Sequence, residues 1–105
     1  MINHLILYKI NPGVEEEKIE WMIRETRILL LKIPEVLSLR CGKSLDEKLA
    51  WPFFVSVEIE NTDKLSLYLE NPNHAKFLED VLRPNSAAHL NLDYEMELGK
   101  DVLYA

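Results

Sequence analysis

Cysteine is nearly absent: Cys41 is the only one in 105 residues, which excludes a disulfide framework and any cysteine-based metal site. A single cysteine within an apolar-rich segment reads as a small, inert strand residue. A basic stripe is also missing. Twelve basic against 18 acidic residues give a net charge of −6, and apart from Glu15-Glu16-Glu17 neither sign is gathered into a block. Such a chain is a poor partner for nucleic acid or an anionic membrane. Long apolar runs are absent too. The longest strictly apolar stretch is Ile28 to Leu31, far short of the ~20 residues a membrane-spanning helix needs. No basic segment followed by an apolar run opens the chain, so the expectation is a soluble cytoplasmic protein without a secretory signal. The three histidines form no i, i+4 pair and sit beside no carboxylate cluster, so no metal and no cofactor is expected.

What is present is a 48% hydrophobic chain, enough for one domain with a real core. Ile2 to Ile10 alternates as a strand with apolar residues on both faces: Ile2, His4, Ile6, Tyr8 and Ile10 on one, Leu5 and Leu7 on the other. After the turn Asn11-Pro12-Gly13, a helix is predicted from about Val14 to Ile33. Ile19, Met22, Ile23, Thr26, Leu29, Leu30 and Ile33 form its inward stripe, while Trp21 and Ile28 fall opposite. That pair predicts a cover from the chain's own tail or from another subunit. Strands are predicted over Val36 to Gly42, Trp51 to Glu60 and His89 to Leu98, with a charged loop Lys43 to Lys48 between the first two. On the last strand Tyr94 reads as core and His89 as solvated surface.

A second helical region is predicted from Lys64 to Arg83, broken at Asn71-Pro72. Pro72 fits the first helical position with Asn71 as N-cap, since proline's missing N–H costs nothing there. His74 then lies in the first turn, and Phe77, Leu78, Val81 and Leu82 follow at helical spacing as a buried stripe. Upstream, Leu65, Tyr68 and Leu69 face the core in the same way. The segment thus predicts a hydroxyl and an imidazole meeting in an apolar interior. His4, on the strand face shared with Ile6 and Tyr8, points toward the same place.

The order strand, helix, strand, strand, helix, strand is the α+β, ferredoxin-like pattern, with helices on one face of an antiparallel sheet. Leu5 and Leu7 on the bare face then require cover. A second copy stacked sheet to sheet, a homodimeric α/β barrel, supplies it. The domain is expected to span residues 1–98, with residues 99–105 as a C-terminal tail.

These residues resemble the stress-responsive dimeric A/B barrel (Dabb) family. The resemblance rests on Ile2-Asn3-His4-Leu5-Ile6, on Ile33-Pro34-Glu35-Val36, and most specifically on Tyr68, five residues, His74 and a following Phe77. It covers residues 1 to 98. It implies a ferredoxin-like protomer, a sheet-to-sheet homodimer, a stress-response role and a pocket between helices and sheet. One plant branch of the family is a polyketide cyclase whose catalytic tyrosine and histidine match Tyr68 and His74, with its pocket histidine matching His4. Met22 and Thr26 stand where that branch has aromatic residues, and Trp51-Pro52 has no counterpart, so its substrate is not carried over.

The resemblance leaves two function classes open. One is a lyase- or cyclase-like enzyme on a small hydrophobic, carbonyl-bearing ligand. In that reading His74 is the base, Tyr68 its partner, and His4, Ile6, Tyr8, Met22, Thr26 and Phe77 line the pocket. The other is a stress-protective or structural oligomer in which the Tyr/His pair locks the helix break. An antibiotic-biosynthesis-monooxygenase-like enzyme shares the barrel but not the Tyr/Pro/His segment.

Overall fold

The structure, a computed structural model, describes residues 1–46 and 48–97. Leu98 and the tail at 99–105 lie outside the described residues, as does Glu47. Strand β1 is Ile2–Ile10, followed by helix α1, Glu16–Leu30, and strands β2, Ser38–Lys43, and β3, Phe53–Ile59. Helix α2, Thr62–Glu70, abuts α3, Pro72–Lys76, which runs on as a π-helical segment, Phe77–Leu82, before β4, Ser86–Glu95. The sheet is antiparallel in the order β2-β3-β1-β4, and the three helical pieces share one face: this is the ferredoxin-like α+β protomer.

Strand β1 is central, as its two apolar faces require. His4 and Tyr8 are buried under the helices, while Leu5 and Leu7 lie half-buried on the far face. The predicted stripe of α1 packs inward through Met22, Ile23, Thr26, Leu29, Leu30 and Ile33, against Phe53, Val55, Val57 and Ile59 of β3. Each of these four fully buried β3 side chains stabilises by about 1.5–3 kcal/mol, so β3 is a main contributor to the core. Cys41 is half-buried in β2 and its thiol donates to the Ile23 carbonyl at 3.8 Å. Burial pushes its pKa up, which keeps it an unreactive thiol. Lys43, at the end of β2, pairs with Glu16 and Glu20 of α1 and is pushed up to about 12 by those carboxylates.

The structure corrects several boundaries and burials. Helix α1 is shorter at both ends than predicted, because its last carbonyls are taken up by tight turns such as Ile33 N–H to Leu30 O, 3.1 Å. Strand β4 begins at Ser86 rather than His89. Asn11 N–H bonds the Asn85 carbonyl at 2.8 Å, which delivers the chain to the end of β1 three residues earlier.

Leu78, placed in the buried stripe by a helical period, is 44% exposed. The Arg83 N–H bonds the Leu78 carbonyl five residues back at 2.9 Å, and this wider turn swings Leu78 off the stripe. Leu69 is exposed as well, at the outer margin of α2. Tyr94 is no core residue in the single chain. It shares with Leu90 and Leu92 the sheet face turned away from the helices, and is 56% exposed. Trp21 packs partly against the core, with the Lys18 ammonium 4.0 Å above its ring, while Ile28 remains exposed.

Candidate functional site

Strand alternation and a capped helix junction build the site. Antiparallel pairing puts His4 opposite Val57 on one side and Asp93 on the other, on the sheet face under α2 and α3. Asn71 closes α2 and opens α3: its side chain accepts from the Asn73 N–H at 2.8 Å, and Pro72 follows at the first helical position, as predicted. This junction turns Tyr68 and His74 toward each other. Their ring centroids are 4.8 Å apart, edge to face, and the Tyr68 ring lies 6.0 Å from that of His4. Phe77 closes the other side of His74 at 6.1 Å. His4, Tyr68 and His74 are 3%, 2% and 7% exposed.

The hydrogen-bond inventory of this trio is incomplete. His4 Nδ1 lies 2.5 Å from Asp93 Oδ1, so Asp93 accepts from Nδ1–H and holds the ring in one tautomer. The opposite nitrogen, Nε2, is buried and has no partner among the described residues; neither does Nδ1 of His74. Buried polar atoms are nearly always satisfied, so two orphan imidazole nitrogens beside one phenol are unusual. Burial first, and the nearby His4 second, push the His74 pKa below its ordinary value, while the Leu69 backbone carbonyl works the other way. His74 is therefore neutral at pH 7. Burial raises the pKa of Tyr68, so its hydroxyl stays a protonated donor. The arrangement offers one hydroxyl donor and two unpartnered imidazole nitrogens, which is the equipment for moving a proton to or from a bound oxygen or carbon acid.

The remaining sequence-predicted residues fall around the trio with different roles. Ile6 lies between His4 and Tyr8 on β1, and Tyr8 packs on Phe53 with ring centroids 5.7 Å apart. Met22 and Thr26 are fully buried on α1, and the Thr26 hydroxyl is committed to the Met22 carbonyl at 2.6 Å. Asp93 was not legible as a site residue: it sits on the polar face of β4, and only the β1–β4 register reveals its partner. A hollow of about 390 Å³ reaches Asp93 from the surface, bordered also by Glu60, Asn61, Leu65 and Glu95, but not by Tyr68 or His74. Among the described residues no group of His, Cys, Asp and Glu could hold a metal ion, and no helix is long and apolar enough to cross a membrane.

The fold defines a class, the ferredoxin-like protomers with helices packed on one face of an antiparallel sheet. Within it, residues 2–96 match the stress responsive A/B barrel domain, and the chain belongs to that family. An uncharacterized protein of Streptomyces coelicolor is 31% identical over 77 residues, 70% of this chain and 79% of the relative. A dimeric ferredoxin-like protein of unknown function from Thermobifida fusca superposes with a TM-score of 0.80 at 23% identity, covering 90% of each chain. The hydroxynitrile lyase of Passiflora edulis superposes with a TM-score of 0.77 at 14% identity, covering 92% of this chain and 94% of its own.

Proposed function

We propose that this protein is a homodimer whose protomers each carry an acid–base site for a small, uncharged carbonyl- or hydroxyl-bearing compound. The chemistry is of the lyase or cyclase type. The observation that carries this reading is the pair of orphan nitrogens on His4 and His74. A purely structural cluster has every reason to satisfy them, because each unsatisfied buried group costs about 1–3 kcal/mol. In the proposed step the His74 Nδ1 lone pair takes a proton from the substrate. Tyr68 donates a hydrogen bond to the oxygen on which charge develops, and His4, oriented by Asp93, holds the substrate's other polar group. The Passiflora lyase supports the fold alone at its low identity, so the chemistry rests on the residues themselves. Dimerisation is supported by the dimeric Thermobifida relative and by the apolar outer face of β1 and β4.

A second reading has its own support. The edge-to-face contact of Tyr68 on the His74 ring ties α2 to α3, which is what a structural lock at the helix break does. A turnover screen with neutral aldehydes, ketones and their cyanohydrins, run on wild type, His74→Ala and Tyr68→Phe, separates the two. The catalytic reading expects no turnover in His74→Ala and a loss of about 10- to 1000-fold in Tyr68→Phe. Turnover intact in His74→Ala, with stability lower by about 1–3 kcal/mol, would leave the lock as the role of this residue.

A further inference from the structure

The cluster under the helices holds two imidazoles for one carboxylate. Asp93 of β4 is committed to His4, and among the described residues no carboxylate pairs with His74. The other elements bring no compensating charge. Tyr68 of α2 packs on both rings, and it and Tyr8 of β1 are held protonated by burial. Glu25 and Lys32 of α1 border an outer hollow with Lys76 and Asp80, a hollow that His74 does not line. Glu79, on the turn that follows, is bonded to Arg83. A proton on His74 is therefore a buried charge that faces a second imidazole and no anion, and both features push its pKa down. The element that carries it is weakly held. Helix α3 has five residues, too few to keep a helix without packing. At its start Asn71 is extended, and Pro72 has no N–H with which to continue the α2 ladder. At its end the turn widens, while Val81 and Leu82 stay anchored in the core.

We infer that α3 is an acid-released latch: protonation of His74 frees this short helix from Tyr68 and opens the interior beside His4, while the sheet stays folded. The latch goes beyond the proposed chemistry, and holds whether the Tyr/His pair acts on a substrate or locks the helix break. It also gives a closed site a way in, since His4, Tyr68 and His74 are at most 7% exposed. The sign follows from the lowered His74 pKa. The closed form prefers the neutral ring, so opening takes up a proton and is favoured as pH falls below the ordinary histidine value of 6.5.

Amide hydrogen exchange of the full chain, read by NMR as protection factors at about pH 7.5 and about pH 5, tests this. Ala75 and Phe77, whose N–H groups bond the Asn71 and Asn73 carbonyls, report the latch, and Ile6 and Val55 report the sheet. Wild type is expected to lose protection at Ala75 and Phe77 by about tenfold at the lower pH, with roughly thirtyfold as the limit for one histidine. Ile6 and Val55 should keep theirs. His74→Gln, which cannot take up the proton, should show no such loss. Should that variant fail to fold, wild type decides alone: the pH midpoint of the loss must coincide with the titration of the His74 ring protons. An equal loss at Ile6 and Val55, the same loss in His74→Gln, or a His74 ring that titrates while Ala75 and Phe77 keep their protection would overturn the latch. So would Ala75 and Phe77 amides that are unprotected at both pH values.

Discussion

Across the β1–β4 pair, Asp93 accepts a 2.5 Å hydrogen bond from Nδ1 of His4, and Nε2 of that ring is left without a partner in a buried interior. A half-exposed carboxylate on an edge strand thereby sets the tautomer of an imidazole that is 3% exposed.

Asp93→Ala should disturb function more than fold. The β1–β4 backbone ladder is untouched by the substitution, so the melting temperature should drop by only a few degrees, while His4 loses its preferred tautomer. With a substrate in hand, turnover should fall by about 10- to 100-fold. The tautomer itself can be read from the ¹⁵N shifts of the His4 ring, where wild type should show a protonated Nδ1.

The His74 pKa has a consequence for stability. Because its folded value lies below the unfolded one, the unfolded chain binds more protons between the two values, and stability rises with pH across that window. The contribution is complete above the unfolded pKa, about 6.5, and is lost as pH falls through the folded value. Urea melts at pH 7.5 and at pH 5 should therefore differ more in wild type than in His74→Gln. Equal pH dependence in the two proteins would show that His74 is not the group responsible.

Homodimer formation should appear in sedimentation or light scattering at micromolar concentration. Leu5, Leu7, Leu90, Leu92 and Tyr94 make the outer sheet face too apolar to remain in water. Leu7→Glu should give an aggregated or unfolded product, since an unpaired charge in that interface costs several kcal/mol. A wild-type protein that stays monomeric and soluble at high concentration would contradict the barrel.

Asn71→Ala should lower stability by about 0.5–2 kcal/mol through loss of the α3 cap. Since the cap also fixes where His74 starts its turn, the Tyr68–His74 edge-to-face contact should loosen with it. A ring-current shift of the His74 protons, compared between wild type and variant, reads that movement directly.

Periodicity and punctuation carried most of the fold. The two-sided β1, the α1 stripe and the Asn71-Pro72 junction follow from residue type at fixed spacing, and so did the meeting of Tyr68 with His74. The partner of His4 did not. Asp93 looks like any solvated strand carboxylate until the register sets it opposite His4, and register depends on the whole sheet rather than on local sequence. Leu78 escaped for a related reason: a period of 3.6 cannot anticipate a stretch where the turn widens. Tyr94 reads as core and is 56% exposed, because strand periodicity separates the two faces of a sheet without saying which one the helices cover.

The widened turn from Phe77 to Leu82 takes up one residue more than an ordinary helical turn, and so keeps the rod in phase along its length: His74 and Phe77 at one end and Val81 and Leu82 at the other all face inward. Deleting one exposed residue inside it, Glu79 or Asp80, would let the turn close to ordinary helix geometry with both ends still facing the sheet. An added residue would find no further slack there and would rotate Val81 and Leu82 by about 100° away from the core. This stretch should therefore accept the loss of a residue more readily than the gain of one.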